Sequence, residues 1–149
     1  MACGGCKKDE TWKVNSPAPQ ISVLDLNNAT VKLSDFKGKV VVLRFWASGC
    51  KACVEEMPKL DRFRQKYKEQ DLAVLGVNIG GSDKLVRAFT EGLKITYPML
   101  LDPSSIASKK YAVKMVPTTF FIDRNGNAKQ VIFGEMPQAA FDKIVSGLL

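Results

Sequence analysis

The sequence predicts an α/β fold, a central mixed β-sheet flanked by helices on both faces. Three observations carry this. Lys39 to Trp46 is a near-continuous run rich in β-branched and aromatic residues, as a strand buried on both faces requires. From Cys50 to about Gln70 the apolar period changes to three and four residues, with Val54, Met57, Leu60, Phe63 and Tyr67 on one helical stripe. A second buried strand follows at Leu72 to Val77, and the chain closes with an antiparallel hairpin and a helix.

In chain order, residues 1–19 read as a tail or linker and residues 20–149 as one domain. The tail carries Cys3, Cys6 and a charged run from Lys7 to Glu10. Pro17 and Pro19 then favour extended backbone. Ile21 to Leu26 alternates apolar and polar residues, Asn27-Asn28 reads as a turn, and Thr30 to Leu33 is the partner strand of an N-terminal hairpin. Ser34 is the expected cap of a short helical turn ending at Gly38. Pro58 falls inside the long helix, where it removes one backbone donor and should kink the axis. Asp83 to Gly92 is a helix capped by Ser82, Tyr97-Pro98 opens a short strand through Leu101, and Pro103 to Tyr111 is a further helix. Thr118 to Ile122 and Ala128 to Phe133 are strands joined across Arg124 to Asn127, with Asn125-Gly126 the strongest short-range hairpin signal in the chain. Pro137 starts the last helix, whose apolar positions are Phe141, Ile144, Val145 and Leu148.

Composition narrows the chemistry. The chain has 149 residues, enough to bury a core without staples, and no apolar run approaches the length of a membrane span. Its net charge of +7 comes from scattered residues, with neither a stripe nor a nucleic-acid module, so a solvated basic surface is expected. Attraction to anionic membranes or acidic partners stays open. The decisive fact is that histidine is absent. That excludes Cys-His pairs, Ser-His-Asp triads and His-ligated metals together.

Cysteine remains, and Cys50-Lys51-Ala52-Cys53 stands at a strand-to-helix junction. Unpaired amide groups and the positive end of the helix dipole favour a thiolate at Cys50. Cys53 lies one turn further on the same side, within reach of a disulfide. An exposed thiolate attacks a substrate disulfide and the second thiol resolves the mixed intermediate. Lys51 and Ala52, between the two, tune the redox poise, a cation favouring the reduced thiolate.

Phe45 to Cys53 followed by Glu55-Glu56-Met57-Pro58 resembles the active-site helix of thioredoxin-like proteins, most closely the extracytoplasmic ResA and TlpA branch. The similarity runs from about Pro17 to the C-terminus. It takes in Val77 to Gly80, Tyr97-Pro98 with Leu101-Asp102, Val116 to Thr119 and Asp123 to Gly126. The resemblance implies a thioredoxin-like fold and a monomeric thiol-disulfide oxidoreductase without cofactor or metal. It implies that Pro117 is cis beside the dithiol, so that Val116, Pro117 and the abutting Trp46 form the substrate side, although packing is the plainer reading of Trp46 and Phe45. It further implies a cell-envelope reductant of protein disulfides, such as those of apocytochrome c, fed by a membrane thiol-disulfide electron donor. Three positions depart from the family. Gly49 replaces a tryptophan, Gly81 replaces a glutamate, and Arg44 stands where thioredoxin has a buried aspartate. Strand parity leaves open whether Arg44 faces the dithiol or solvent, so no general base is assigned.

Cys3-Gly4-Gly5-Cys6 has the same spacing but no helix. Free thiols, an auxiliary redox pair and a lipid-bearing Cys3 behind a cleaved leader are the readings; Met1 to Cys3 itself shows no leader pattern. Two alternatives to the oxidoreductase remain: a peroxiredoxin-like peroxidase, whose reactive cysteine does not sit in CxxC, and a zinc module built from all four cysteines. Against zinc, strand and helix signals fill the 43 residues between the pairs. A copper chaperone of this fold would want a histidine ligand.

Overall fold

The structure, a computed structural model, describes residues 12–149. Its strands are β1 (Ser16–Pro17), β2 (Ser22–Asp25), β3 (Thr30–Lys32), β4 (Val40–Trp46), β5 (Leu72–Ile79), β6 (Met99–Asp102), β7 (Thr118–Ile122) and β8 (Asn127–Phe133). The helices are α1 (Lys51–Gln65), α2 (Asp83–Gly92), α3 (Ile106–Lys110) and α4 (Gln138–Leu148). All eight strands form one sheet in the order β1-β8-β7-β4-β5-β6-β2-β3. Pairings β4–β5 and β5–β6 are parallel and the others antiparallel, so the sheet is mixed.

Side-chain alternation on β4 divides the core. Val42 and Trp46 point to one cluster with Cys53, Met57 and Leu60 of α1, Val86 of α2, and Phe141 and Val145 of α4. Val41, Leu43 and Phe45 point to the other with Ala107 of α3, Tyr111, Phe120 and the N-terminal hairpin. Each fully buried aliphatic or aromatic side chain contributes about 1.5–3 kcal/mol. β4, at the sheet centre and buried along its length, therefore anchors whatever follows its C-terminal end.

Several boundaries differ from expectation. Residues 12–19, placed in the tail by sequence, run along the sheet. Ser16–Pro17 pair with β8, and the Trp12 ring packs edge-on against Phe120 and donates its N–H to the Tyr111 carbonyl. The turn after β3 is a 3-10 turn, Leu33–Phe36, stabilised by the Asp35 carboxylate accepting the Lys32 N–H rather than by Ser34. α1 runs through Pro58 and gives way to turns after Gln65, where the Tyr67 hydroxyl donates to Asp142 of α4 at 2.6 Å. α3 starts later than Pro103 because the Asp102 carboxylate accepts from Ala107 and Ser108, leaving 103–105 as a turn. α2 matches its expected bounds, its Ser82 hydroxyl accepting the Leu85 N–H.

Candidate active site

β4 ends buried at Trp46, the chain passes outward through Ala47 to Gly49, and α1 begins after Cys50, its N-cap. Cys50 has extended backbone, its carbonyl accepts the Val54 N–H, and its sulfur accepts the Cys53 N–H at 3.1 Å. A sulfur takes the place an N-cap hydroxyl or carboxylate would occupy, aimed at the free amides of the first turn. Cys50 and Cys53 are joined by a disulfide, their Cα atoms 5.2 Å apart. The two sulfurs differ in access: Cys50 is partly exposed, whereas Cys53 has no exposed surface.

The Val116–Pro117 bond is cis. It brings the Val116 carbonyl oxygen to 3.8 Å from Cys50 Sγ. The Thr118 hydroxyl donates to the Met115 carbonyl and the Gly134 N–H to the Pro117 carbonyl, so both flanks of this loop are tied down. Among the described residues, Val116 makes no backbone–backbone hydrogen bond. Trp46 stands elsewhere than on the substrate side: it is 1% exposed, packs edge-on against Phe89, and donates its N–H to Met99 Sδ. It belongs to the core cluster that holds Cys53 and Met57. Lys51 projects into solvent, and its contact with Glu55 at 3.9 Å is too exposed to matter energetically. Ala52 is half-buried. A side chain at Gly49 would meet nothing within 4 Å, so the rim before Cys50 is open.

Of the two directions left open by the sequence, Arg44 takes the inward one, on the β4 face that packs against the dithiol helix. It is buried against α1, with Nη2 2.8 Å from Oε1 of Glu56. Gly81 is likewise explained: its N–H donates to the Asn78 carboxamide at 2.9 Å, and a Cβ there would collide with that oxygen. Asn78 also donates to the Ser48 hydroxyl at 3.2 Å, joining the end of β5 to the loop before Cys50. Glu56, Asn78 and Ser48 escaped sequence reasoning. Glu56 left a signal, because Cys53, Glu56 and Leu60 share one helical stripe and an acid on that stripe is buried. Cys3 and Cys6 lie outside the described residues.

Residues 14–131 match the AhpC/TSA family. Over 130 residues the chain is 38% identical to the thiol-disulfide oxidoreductase ResA of Geobacillus kaustophilus, covering 87% of this chain and 75% of that protein. The chain belongs to the thioredoxin-like AhpC/TSA family, among ResA-type thiol-disulfide oxidoreductases. It is also 34% identical over 140 residues to the thioredoxin-like protein YneN of Bacillus subtilis, covering 92% of this chain and 81% of that one. A Chlorobium tepidum protein assigned as the thiol:disulfide interchange protein DsbE superposes with a TM-score of 0.86 at 30% identity, over 93% of this chain and 99% of that one. The exposed lipoprotein thioredoxin of Streptococcus pneumoniae does so with a TM-score of 0.74 at 30% identity, over 87% and 99%. The oxidoreductase chemistry expected of a ResA-type protein and the bonded Cys50–Cys53 pair agree.

Proposed function

We propose that this oxidoreductase reduces protein disulfides in a bacterial cell envelope, with Cys50 as attacking thiolate and Cys53 as resolving thiol. The observation that carries the roles is the difference in access between the two sulfurs at one helix N-terminus. In the reduced protein, Cys50 thiolate attacks one sulfur of the substrate disulfide and expels the other as a thiolate. Cys53, deprotonated, then attacks Cys50 Sγ, closes the Cys50–Cys53 disulfide and releases the second substrate thiol, two electrons having passed to the substrate. Val116 and Pro117 form the edge along which an extended substrate segment lies, its N–H groups donating to the Val116 carbonyl. Exposed Met115 and Phe133 flank that edge with apolar surface.

A membrane thiol-disulfide donor regenerates the dithiol, and apocytochrome c before haem attachment is the substrate proposed. Attachment through a lipid on Cys3 fits the similarity to the pneumococcal lipoprotein. Among the described residues no helix is long and apolar enough to cross a membrane.

Cys53→Ser in the native envelope tests this reading. Cys50 should accumulate mixed disulfides whose partners include an apocytochrome. Trapping that needs Cys3 or Cys6 would refute the roles. Peroxide consumed faster than disulfides would favour the peroxidase, and stoichiometric zinc lost on mutating either pair would favour the metal module.

A further inference from the structure

Two charges are buried between β4 and the helix that carries the dithiol, and their position follows from two periodicities. Val42, Arg44 and Trp46 share one face of β4, while Cys53, Glu56 and Leu60 share one stripe of α1. Where those faces meet, Arg44 Nη2 donates to Glu56 Oε1 at 2.8 Å and the Met136 N–H donates to Oε2 at 3.0 Å. Arg44 is 1% exposed and its Nε has no partner, so the burial of its charge is compensated by Glu56. Arg44 also faces Thr119 in the β4–β7 register, two residues beyond Pro117. Cys53 precedes Glu56 by one helical turn. The pair therefore ties together the helix that carries the dithiol and the strand that carries the adjoining loop.

Resting on the roles proposed for Cys50 and Cys53, we infer that Arg44 is a positioning residue of the reaction. It draws the Glu56 carboxylate against the sheet and cancels its charge, and the intact pair thereby sets how readily the reduced dithiol carries a thiolate. The sign of each perturbation follows. Without Arg44, an uncompensated anion remains one turn from Cys53 and disfavours the thiolate. Without Glu56, an uncompensated cation remains and favours it. Without both, the interior is neutral again.

Because the disulfide form is uncharged, stabilising the thiolate makes the protein more oxidising and destabilising it makes the protein more reducing. Of the other charged groups on the surrounding elements, Lys51 and Glu55 on α1, Lys114 before Met115 and Glu135 before Met136 are exposed and screened by water, and Asp61 of α1 is buried but held by Arg64 and Thr96. Tyr97, near Arg44, is kept neutral by burial.

The test compares Arg44→Met, Glu56→Gln and the double variant. Two readouts are used: the pH profile of Cys50 alkylation by iodoacetamide, and the redox midpoint in glutathione buffers. Arg44→Met should lower the alkylation rate on the rising limb of the profile about tenfold, and Glu56→Gln should raise it by a similar factor. The double variant should return to within about threefold of wild type, and the redox midpoints should move in the same opposed order. A clamp that was merely structural would lower stability without separating the two single variants by sign. Single variants that move together, or stay within about threefold of wild type, overturn the inference. Arg44→Gln replaces Arg44→Met if that variant does not fold, and one folded single variant with the double suffices for the comparison. If wild-type protein alkylates first at another cysteine, the proposed roles fail instead.

Discussion

Asn78 offers a sharp test of how the loop before Cys50 is held. Its carboxamide is fully buried, accepts the Gly81 N–H at 2.9 Å and donates to the Ser48 hydroxyl at 3.2 Å. Each neutral hydrogen bond contributes about 1 kcal/mol net, and a partly buried N–H left without an acceptor costs about 1–3 kcal/mol more. Asn78→Ala should therefore lower stability by about 2–4 kcal/mol. Gly81→Ala attacks the same contact from the other side, because its new Cβ would occupy the space of the Asn78 oxygen. Forcing the carboxamide aside should cost about 1–3 kcal/mol. In the Asn78→Ala background that obstruction is gone, so Gly81→Ala should become nearly neutral. The cycle predicts a coupling of about 1–3 kcal/mol between the two sites. Guanidinium unfolding of the oxidised protein, followed by tryptophan fluorescence with constant slope, measures all four corners. Effects that add to within about 0.5 kcal/mol would refute the contact as the support of this loop.

Further outcomes follow from the tyrosines and the helix interface. Burial is the largest influence on Tyr67, Tyr97 and Tyr111 and raises all three pKa values, Tyr67 to about 12 with help from its bond to Asp142. A raised folded-state value contributes stability that is full below the unfolded value near 10 and lost as pH climbs through the folded one. Absorbance at 295 nm should therefore show no tyrosinate at about pH 10.5, where the unfolded chain is already titrating. The Tyr67 hydroxyl, the largest influence on Asp142, holds that carboxyl below its usual range together with Lys66, against burial. This contribution is present at neutral pH and lost on acidification through the lowered value, so Tyr67→Phe should flatten both the acid and alkaline limbs of stability. Phe141, fully buried against Phe63, Tyr67 and Phe121, should cost about 3–5 kcal/mol on truncation to alanine by guanidinium unfolding. A loss below about 1.5 kcal/mol would contradict that packing.

Much of this was legible in the residues, for physical reasons. α2 and the β7–β8 hairpin announce themselves through local chemistry: a serine cap, and an Asn-Gly turn whose Gly126 sits at φ 88°. The dithiol was legible because a helix N-terminus after a buried strand is itself a sequence pattern. β1 was not, because two residues carry no periodicity and their pairing depends on β8, far along the chain. α3 was overestimated because a side chain outside the helix, Asp102, decides where it begins. Arg44 defeated parity because β4 is buried on both faces, so alternation cannot separate inside from outside. Its partner lies 12 residues on, and an ion pair across two elements exists only once they pack.

The two ends of the sheet bear on how a substrate is chosen. β1 covers only Asn127 and Ala128 of β8, so among the described residues Lys129 to Phe133 have no strand on that side, while β3 at the other edge has three residues. An arriving extended segment therefore has a second place to add itself as a strand, along the outer side of β8. On the function proposed above, a segment held at the Val116 backbone is the one that passes beside Cys50. Selectivity on that reading rests on the loop beside the dithiol rather than on the edges of the sheet.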